Sequence, residues 1–473
     1  MNHNLFRPYS NTCSGPQTPY LSFYSKQADD LLFQPSATGE SPIEIICQAG
    51  LRGVHLTWTL HCSTVEKPFA HGAAEAIPGN RFRIVIDPQA LPAGYYDLKV
   101  VLGTGYGQYG DSDTRIVEGV CTFGWRASQM AIRQTRPADF AEFWAEARRQ
   151  IDAVGPDLRI ETPTQEFDKE QIDRYNVEHA CLPADYDPDG HVVESVESYK
   201  ISIAGPGGGR IYAWVAKPLG DGPFPGMLVL PGGGFNGRPR PLEHARHGQF
   251  AVDIQIHGQD IDERITPTLP HHFSNCVYSP PEAYYYYRVH QRVIQAVTYL
   301  TSRSEVDSSR ITVVGGSQGG RLGVVIAGLD DRITALVAAI PHAANFPHLA
   351  WAARCNGGTL DRSTDDETGA AGYEMSDGMD LIGAPPHESD VVAHCMAYYD
   401  PMNFALDAKC PALFNYGLID PVSPPYSVWA AFHNLASSDK TIVALPGLGH
   451  DWSAGFDRDA WRWLQSVWDR RSA

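Results

Sequence analysis

The segment RITVVGGSQGGRLGVVIAG places Ser317 inside Gly315-Gly316-Ser317-Gln318-Gly319, a G-x-S-x-G pattern between a β-branched apolar run and a helix-forming run. The pattern alone recurs by chance in a Gly-rich chain, so the strand-to-helix context carries the weight. A sharp turn there exposes the serine at the carboxyl end of a sheet, and the small neighbours give strand and helix room to touch. A serine hydroxyl is a poor nucleophile until an imidazole takes its proton, and a carboxylate must hold that imidazole in the right tautomer. Asp420 ends the apolar run ALFNYGLID and is followed by PVSPP, which cannot continue a strand; His450 follows TIVALPGLG. Each therefore sits on a loop after a predicted strand, in the chain order serine, acid, histidine that acyl transfer on an α/β sheet uses. The bland alternatives are a solvated serine in a Gly-rich turn and an aspartate capping a strand end. The ordered set of three favours chemistry.

Acyl transfer also needs two preorganised N–H donors for the developing oxyanion. Gln318, next after the serine, offers one, and the loop in LVLPGGGFNGRP offers another through the main chain of Phe235, with Gly234 letting the backbone bend. A phosphate-binding loop is the rival for those glycines, but no G-K-[ST] follows and there is no dinucleotide fingerprint. Of 18 histidines, His450 is chosen by position. His271, His272, His342 and His348 lie in other loops, and most of the rest are expected at the surface or as caps. His244 and His247 stand three apart, with Glu243 too close in sequence to complete a ligand set, so neither a metal nor a cofactor is expected. Nine cysteines without a C-x-x-C pair argue against a disulfide framework and a structural zinc, and fit reduced thiols in a cytoplasm.

The elements that must position these residues fall into two stretches. Residues 20–128 are short Val-, Ile-, Thr- and Tyr-rich runs separated by Gly, Pro and Asn, with Trp58 and Tyr96 as expected core aromatics; they read as a small immunoglobulin-like β-sandwich domain. At RPADFAEFWAEARRQIDAVG, Phe140, Phe143, Trp144 and Ala147 recur at helical spacing, so the boundary falls near residue 130. From 130 to 473, apolar runs at 226–231, 251–256, 310–316, 335–341, 412–420 and 441–447 alternate with helices predicted at 282–303, 318–329 and 457–470. Short β-branched runs between helices indicate a mostly parallel sheet flanked by helices, an α/β class with the α/β-hydrolase order. The polar stretch at about 350–398 is too long for a connection and reads as a lid-like insertion.

The bulk properties narrow the partners. With 43% hydrophobic residues and a formal charge of -18, the chain is globular and acidic, which disfavours nucleic acid and anionic membranes. No apolar run is long enough to span a bilayer, and MNHNLFRPYSNTCSGPQ lacks the basic and apolar regions of a secretory signal.

Over residues 136–470 the chain resembles the acetyl xylan esterase and cephalosporin C deacetylase family, the seventh carbohydrate esterase family. The likeness rests on RPADFAEFWAEA, GGGRIYAWVAKP, GGGFNG and YYYYRVHQRVIQAV, and is tightest at GGSQGG and CPALFNYGLIDPVSPPYSVWAAFHN. Carried over by position, it implies Ser317 as nucleophile, Asp420 as acid, His450 as base, and Gln318 and Phe235 as oxyanion donors, with tyrosine the commoner residue at the latter place. Gly234, His257, Gln259 and His342 become substrate-binding candidates. His257-Gly258-Gln259 stands where the family shows Arg-Gly-Gln, and His450-Asp451 where it shows a His-Glu pair. The resemblance implies a serine esterase that removes acetyl groups from sugars or related small esters without a cofactor, and oligomers whose sites open to an inner space. It is silent on the amino-terminal sandwich, for which solubility, assembly, or sugar binding through Tyr106 and Tyr109 are the alternatives. A prolyl oligopeptidase-type peptidase, whose propeller would need more chain than precedes residue 130, and a carbohydrate-binding protein with an inert hydrolase domain are the competing functions.

Overall fold

The computed structural model describes residues 21–35, 39–50, 54–62, 68–103, 115–179, 191–233, 237–262, 279–342, 344–345, 386–451 and 453–472. The chain opens with β1 (Leu21–Tyr24), β2 (Leu32–Phe33), β3 (Ile43–Ala49), β4 (His55–Cys62), β5 (Ala70–Ala73), β6 (Glu75–Ile77), β7 (Arg81–Ile86), β8 (Gly94–Gly103) and β9 (Arg115–Trp125). They form two sheets, in the orders β1-β3-β7-β6 and β2-β9-β8-β4-β5, antiparallel except for the short pair β2 and β9. Period-two patterning builds them: in β7 the buried Phe82, Ile84 and Ile86 alternate with outward Arg81, Arg83 and Val85. The sheets face each other closely enough that a Cβ on Gly119 of β9 would lie 2.7 Å from the Leu21 side chain of β1. Tyr96 is fully buried between them, whereas Trp58 is only half-buried because its ring lies over Gly72 at the sheet edge. Tyr106 and Tyr109 lie outside the described residues.

The helix Phe140–Asp152 begins the second part, burying Phe140, Trp144, Ala147 and Ile151. Then come β10 (Arg159–Ile160), β11 (Gln165–Phe167), β12 (Val196–Ala204), β13 (Arg210–Pro218), β14 (Phe224–Leu230), β15 (Phe250–Ile254), β16 (Val306–Gly316), β17 (Ala335–Ala339), β18 (Ala412–Gly417) and β19 (Lys440–Leu445). They make one mixed sheet, β10-β12-β13-β15-β14-β16-β17-β18-β19, with β11 also on β12. From β15 to β19 every pair is parallel, while β10 to β13 add an antiparallel end, since YKISIAGPGGGRIYAWVAKP folds back on itself as a hairpin.

Alternate residues of the parallel strands feed the two faces. Leu228, Leu336, Ala338 and Phe414 join a core with the helices Tyr285–Ser302, Gln318–Leu329 and Pro425–Asn434, while Met227, Ala335, Val337 and Leu413 pack under Phe456, Leu464 and Trp468 of the helix Ala454–Ser472. The first core continues without a break into both amino-terminal sheets. Tyr95 of β8 and Tyr416 of β18 join hydroxyls at 3.0 Å across this junction. The last part of the stretch expected as an insertion, Pro386–Tyr399, is a helix; residues 346–385 lie outside the described residues. Among the described residues no helix is long and apolar enough to cross a membrane.

The sheet order fixes where a site can form. The chain goes from β14 outward to β15, then returns past β14 to β16 and continues the other way. Loops leaving β14 and β16 therefore part company at the carboxyl ends of neighbouring strands, opening a crevice at the switch point.

Candidate active site

Ser317 stands at that crevice, between β16 and the helix Gln318–Leu329, at φ 53° and ψ -118°. This is a costly backbone conformation for a residue with a Cβ and persists only where the surroundings impose it. They do so by hydrogen bonds: the Ser317 N–H donates to the Ala339 carbonyl (2.9 Å), and its own carbonyl accepts from the N–H groups of Arg321 (2.9 Å) and His342 (3.1 Å). The glycines around it answer to sterics. A Cβ on Gly315 would sit 2.5 Å from the Gly319 carbonyl carbon, and one on Gly319 would sit 2.3 Å from the Leu230 oxygen of β14.

Asp420 lies just past the end of β18, with its side chain fully buried. Its Oδ1 accepts the N–H groups of Val422 and Ser423, each at 2.8 Å, before Pro424 and Pro425 start the next helix. His450, beyond β19, places Nδ1 2.9 Å from Asp420 Oδ2 and Nε2 2.8 Å from Ser317 Oγ. An ionised carboxylate only accepts, so the proton belongs on Nδ1 and the Nε2 lone pair faces the serine hydroxyl. The arrangement can take a proton from Ser317 and hold the resulting imidazolium against a buried carboxylate.

A close approach of two loops sets the acid against the base. The Ile419 N–H donates to the Leu448 carbonyl at 3.2 Å, and Gly417 lies so near that a Cβ there would be 2.1 Å from the same oxygen. The contact of Gly417 with the histidine loop is tertiary and has no local signal in the sequence.

Gln318 is the first residue of its helix, so its N–H belongs to the turn whose donors have no intrahelical acceptor. Its side chain is buried and donates from Nε2 to the Tyr286 hydroxyl at 2.8 Å, leaving the main chain as the part available to a reacting group. Gly234 and Phe235 lie outside the described residues. His342 spans two loops: its N–H holds the Ser317 carbonyl, and Nδ1 donates to the Val422 carbonyl at 3.1 Å. His257 and Gln259 follow β15; the His257 ring lies against Tyr285, with Nδ1 2.6 Å from its hydroxyl. Burial pushes the Tyr285 phenol up to about 12, so it stays protonated at neutral pH.

Two histidines have surroundings that only the fold creates. His290 is completely buried among Trp144, Tyr399 and Phe404, with neither ring nitrogen hydrogen-bonded among the described residues; burial, and then the charge of Arg321, push its pKa well below the ordinary value. And Glu243 does not stand with His244 and His247 alone, because His191 approaches from the segment before β12 to contact Glu243 Oε1. A partner 52 residues upstream in an aperiodic stretch had no sequence signal.

Fold and geometry together define an α/β-hydrolase with a hydrogen-bonded Ser-His-Asp set at its switch point. The family model of acetyl xylan esterase (AXE1) matches residues 182–467, more than half of the chain, and the chain belongs to that family. It is 30% identical over 272 residues to the acetyl esterase Axe7A of Xylanibacter ruminicola, an overlap of 54% of this chain and 56% of that protein. The chain thus spans about half the length of that curated relative. Two solved structures share the fold: an acetyl xylan esterase from Paenibacillus sp. R4 (24% identity, 72% of this chain and 98% of that one, TM-score 0.54) and acetyl xylan esterase 1 from Thermoanaerobacterium sp. JW/SL YS485 (23% identity, 72% and 97%, TM-score 0.56).

Proposed function

We propose that this chain is a serine esterase that removes acetyl groups from acetylated sugars or related small esters. The observation that carries the reading is the pair of contacts made by His450, 2.8 Å to Ser317 Oγ and 2.9 Å to Asp420. Ser317 Oγ attacks the ester carbonyl as its proton passes to His450 Nε2; the tetrahedral oxyanion takes hydrogen bonds from the main chains of Gln318 and Phe235. His450 then returns the proton to the departing sugar hydroxyl, leaving an acetyl-enzyme. Water, deprotonated by the same imidazole, releases acetate and restores the serine. Gly234, His257, Gln259 and His342 are assigned to the walls of the substrate site, and no cofactor is needed. The acetyl preference is supported by the family and by the names of the relatives; antibiotic esters of the kind cephalosporin C deacetylases cleave are part of the same proposal.

The same reading divides the chain into an immunoglobulin-like sandwich at 20–128 and a catalytic domain at 130–473 with an insertion about 350–398. Strand orders of the type β1-β3-β7-β6 facing β9-β8-β4 support the first part. Assembly into a homo-oligomer is part of the proposal, as is a reducing, cytoplasmic setting, for which the support is that the buried Cys47 and Cys121 form no disulfide among the described residues. The test is turnover of p-nitrophenyl acetate and acetylated xylan beside peptide p-nitroanilides, with Ser317→Ala as control. Ester turnover that the variant lowers by about 10³ to 10⁶ is expected; cleavage of the anilides alone, or an active Ser317→Ala, would overturn it.

A further inference from the structure

We propose that His191, Glu243 and His247 form a binding site for a divalent transition-metal ion, with zinc the best match to two imidazoles and one carboxylate. One ligand atom from each lies within 4.8 Å of the others. Glu243 Oε1 faces both rings: it contacts His191 Nε2 and lies 3.8 Å from His247 Nε2. Ligand atoms around a tetrahedral zinc with bonds of about 2.0–2.1 Å stand about 3.3 Å apart, so the set closes when the His247 ring turns inward and the His191 ring draws back slightly from Glu243 to admit the ion.

The surroundings are built as a ligand shell needs. The other carboxylate oxygen, Oε2, accepts from Asn176 Nδ2 at 2.9 Å and pairs with Arg246 at 3.4 Å, which aims Oε1 at the imidazoles. Outer partners of this kind orient a ligating carboxylate and are worth 10- to 100-fold in affinity. The His247 ring is stacked on Trp461 at 4.0 Å, and the His191 segment is tied to the helix Leu242–Arg246 by N–H groups of Val192 and Val193 donating to the Arg246 carbonyl. Side-chain exposure is 3% at His247, 9% at Glu243 and 14% at His191, so the fourth position opens on the His191 side, where water completes the tetrahedron. The helix Leu242–Arg246 follows the loop that carries Gly234 and Phe235. A bound ion would fasten that helix to the segment before β12.

The experiment strips the full-length protein with chelator and titrates zinc against a chromophoric competitor, then repeats with cobalt and records its visible spectrum. The expected result is one equivalent of zinc per chain, a four-coordinate cobalt band, and a zinc-dependent rise in Tm. Asn176→Ala should weaken zinc 10- to 100-fold and His191→Ala at least as much. His191 is the most exposed of the three ligands, so its variant decides the matter if Glu243→Gln does not fold. Failure of the wild-type chain to bind zinc stoichiometrically, or equally tight binding by a folded His191→Ala, overturns the proposal.

Discussion

Replacing Gly417 by alanine adds one methyl group at the point where the acid and base loops meet. The new Cβ would be 2.1 Å from the Leu448 oxygen, 2.7 Å from its carbonyl carbon and 2.8 Å from the Gly449 oxygen. All three are backbone atoms, so no side chain can swing aside. Gly417 does not have a positive φ, so the substitution is conformationally permitted and the effect is steric. To leave even a tight contact the Leu448 carbonyl must retreat by about 1 Å, and misplacement of that size in a catalytic array costs about 10²-fold. Since Leu448 precedes His450 by two residues, the retreat draws Nε2 away from the Ser317 hydroxyl now at 2.8 Å. The expected result with p-nitrophenyl acetate is a fall of about 10²-fold in kcat, about 2.7 kcal/mol in the barrier, with KM little changed. Overpacking should also lower global stability by about 1–3 kcal/mol, measurable by urea unfolding. A Gly417→Ala protein that folds and keeps wild-type kcat would refute the claim that this contact sets the base.

Three further outcomes follow from the same geometry. Asp420→Asn should lower kcat by about 10⁴ with folding intact, because an amide does not hold the Nδ1–H tautomer; a loss of only a fewfold would show that another group orients His450. Rates should fall steeply from acetyl to butyryl esters, at about 1–3 kcal/mol for each misfit methylene, and faster hydrolysis of octanoate than acetate would overturn the proposed acetyl preference. Stability should drop below pH 6.5: His290 has a depressed native pKa, so on acidification the unfolded chain takes a proton the native state refuses, and up to about 1.4 kcal/mol is lost per pH unit until the native pKa is reached. His290→Phe should flatten that slope in urea unfolding at pH 7 and pH 5, and an unchanged slope would assign the acid sensitivity elsewhere.

The positions of Ser317, Asp420 and His450 beyond strand ends could be read from the chain because each follows an apolar run, and a strand end is a local property. The helix at 318–329 was legible for the same reason, bounded by the glycines of the turn and by Asp330. The stretch YKISIAGPGGGRIYAWVAKP reads as strand-forming, but the antiparallel pairing of β12 with β13 was not legible, because strands buried on both faces lack the alternation that distinguishes half-exposed pairs. Trp58 was placed in the core by its type, but its ring serves to cover Gly72 at an edge. The contacts that only the fold creates were invisible: Gly417 against Leu448, His191 reaching Glu243, and His290 enclosed by rings from three helices.

The hydroxyl pair of Tyr95 and Tyr416 has a bearing on motion. β18 delivers Asp420, and its Tyr416 is capped from the amino-terminal side by a strand some 320 residues earlier. Separating β8 from β18 would wet two buried phenols that hydrogen-bond to each other. The amino-terminal sheets thus share a buried polar contact and a core with the strand that ends at Asp420, so loosening that junction exposes polar and apolar surface together.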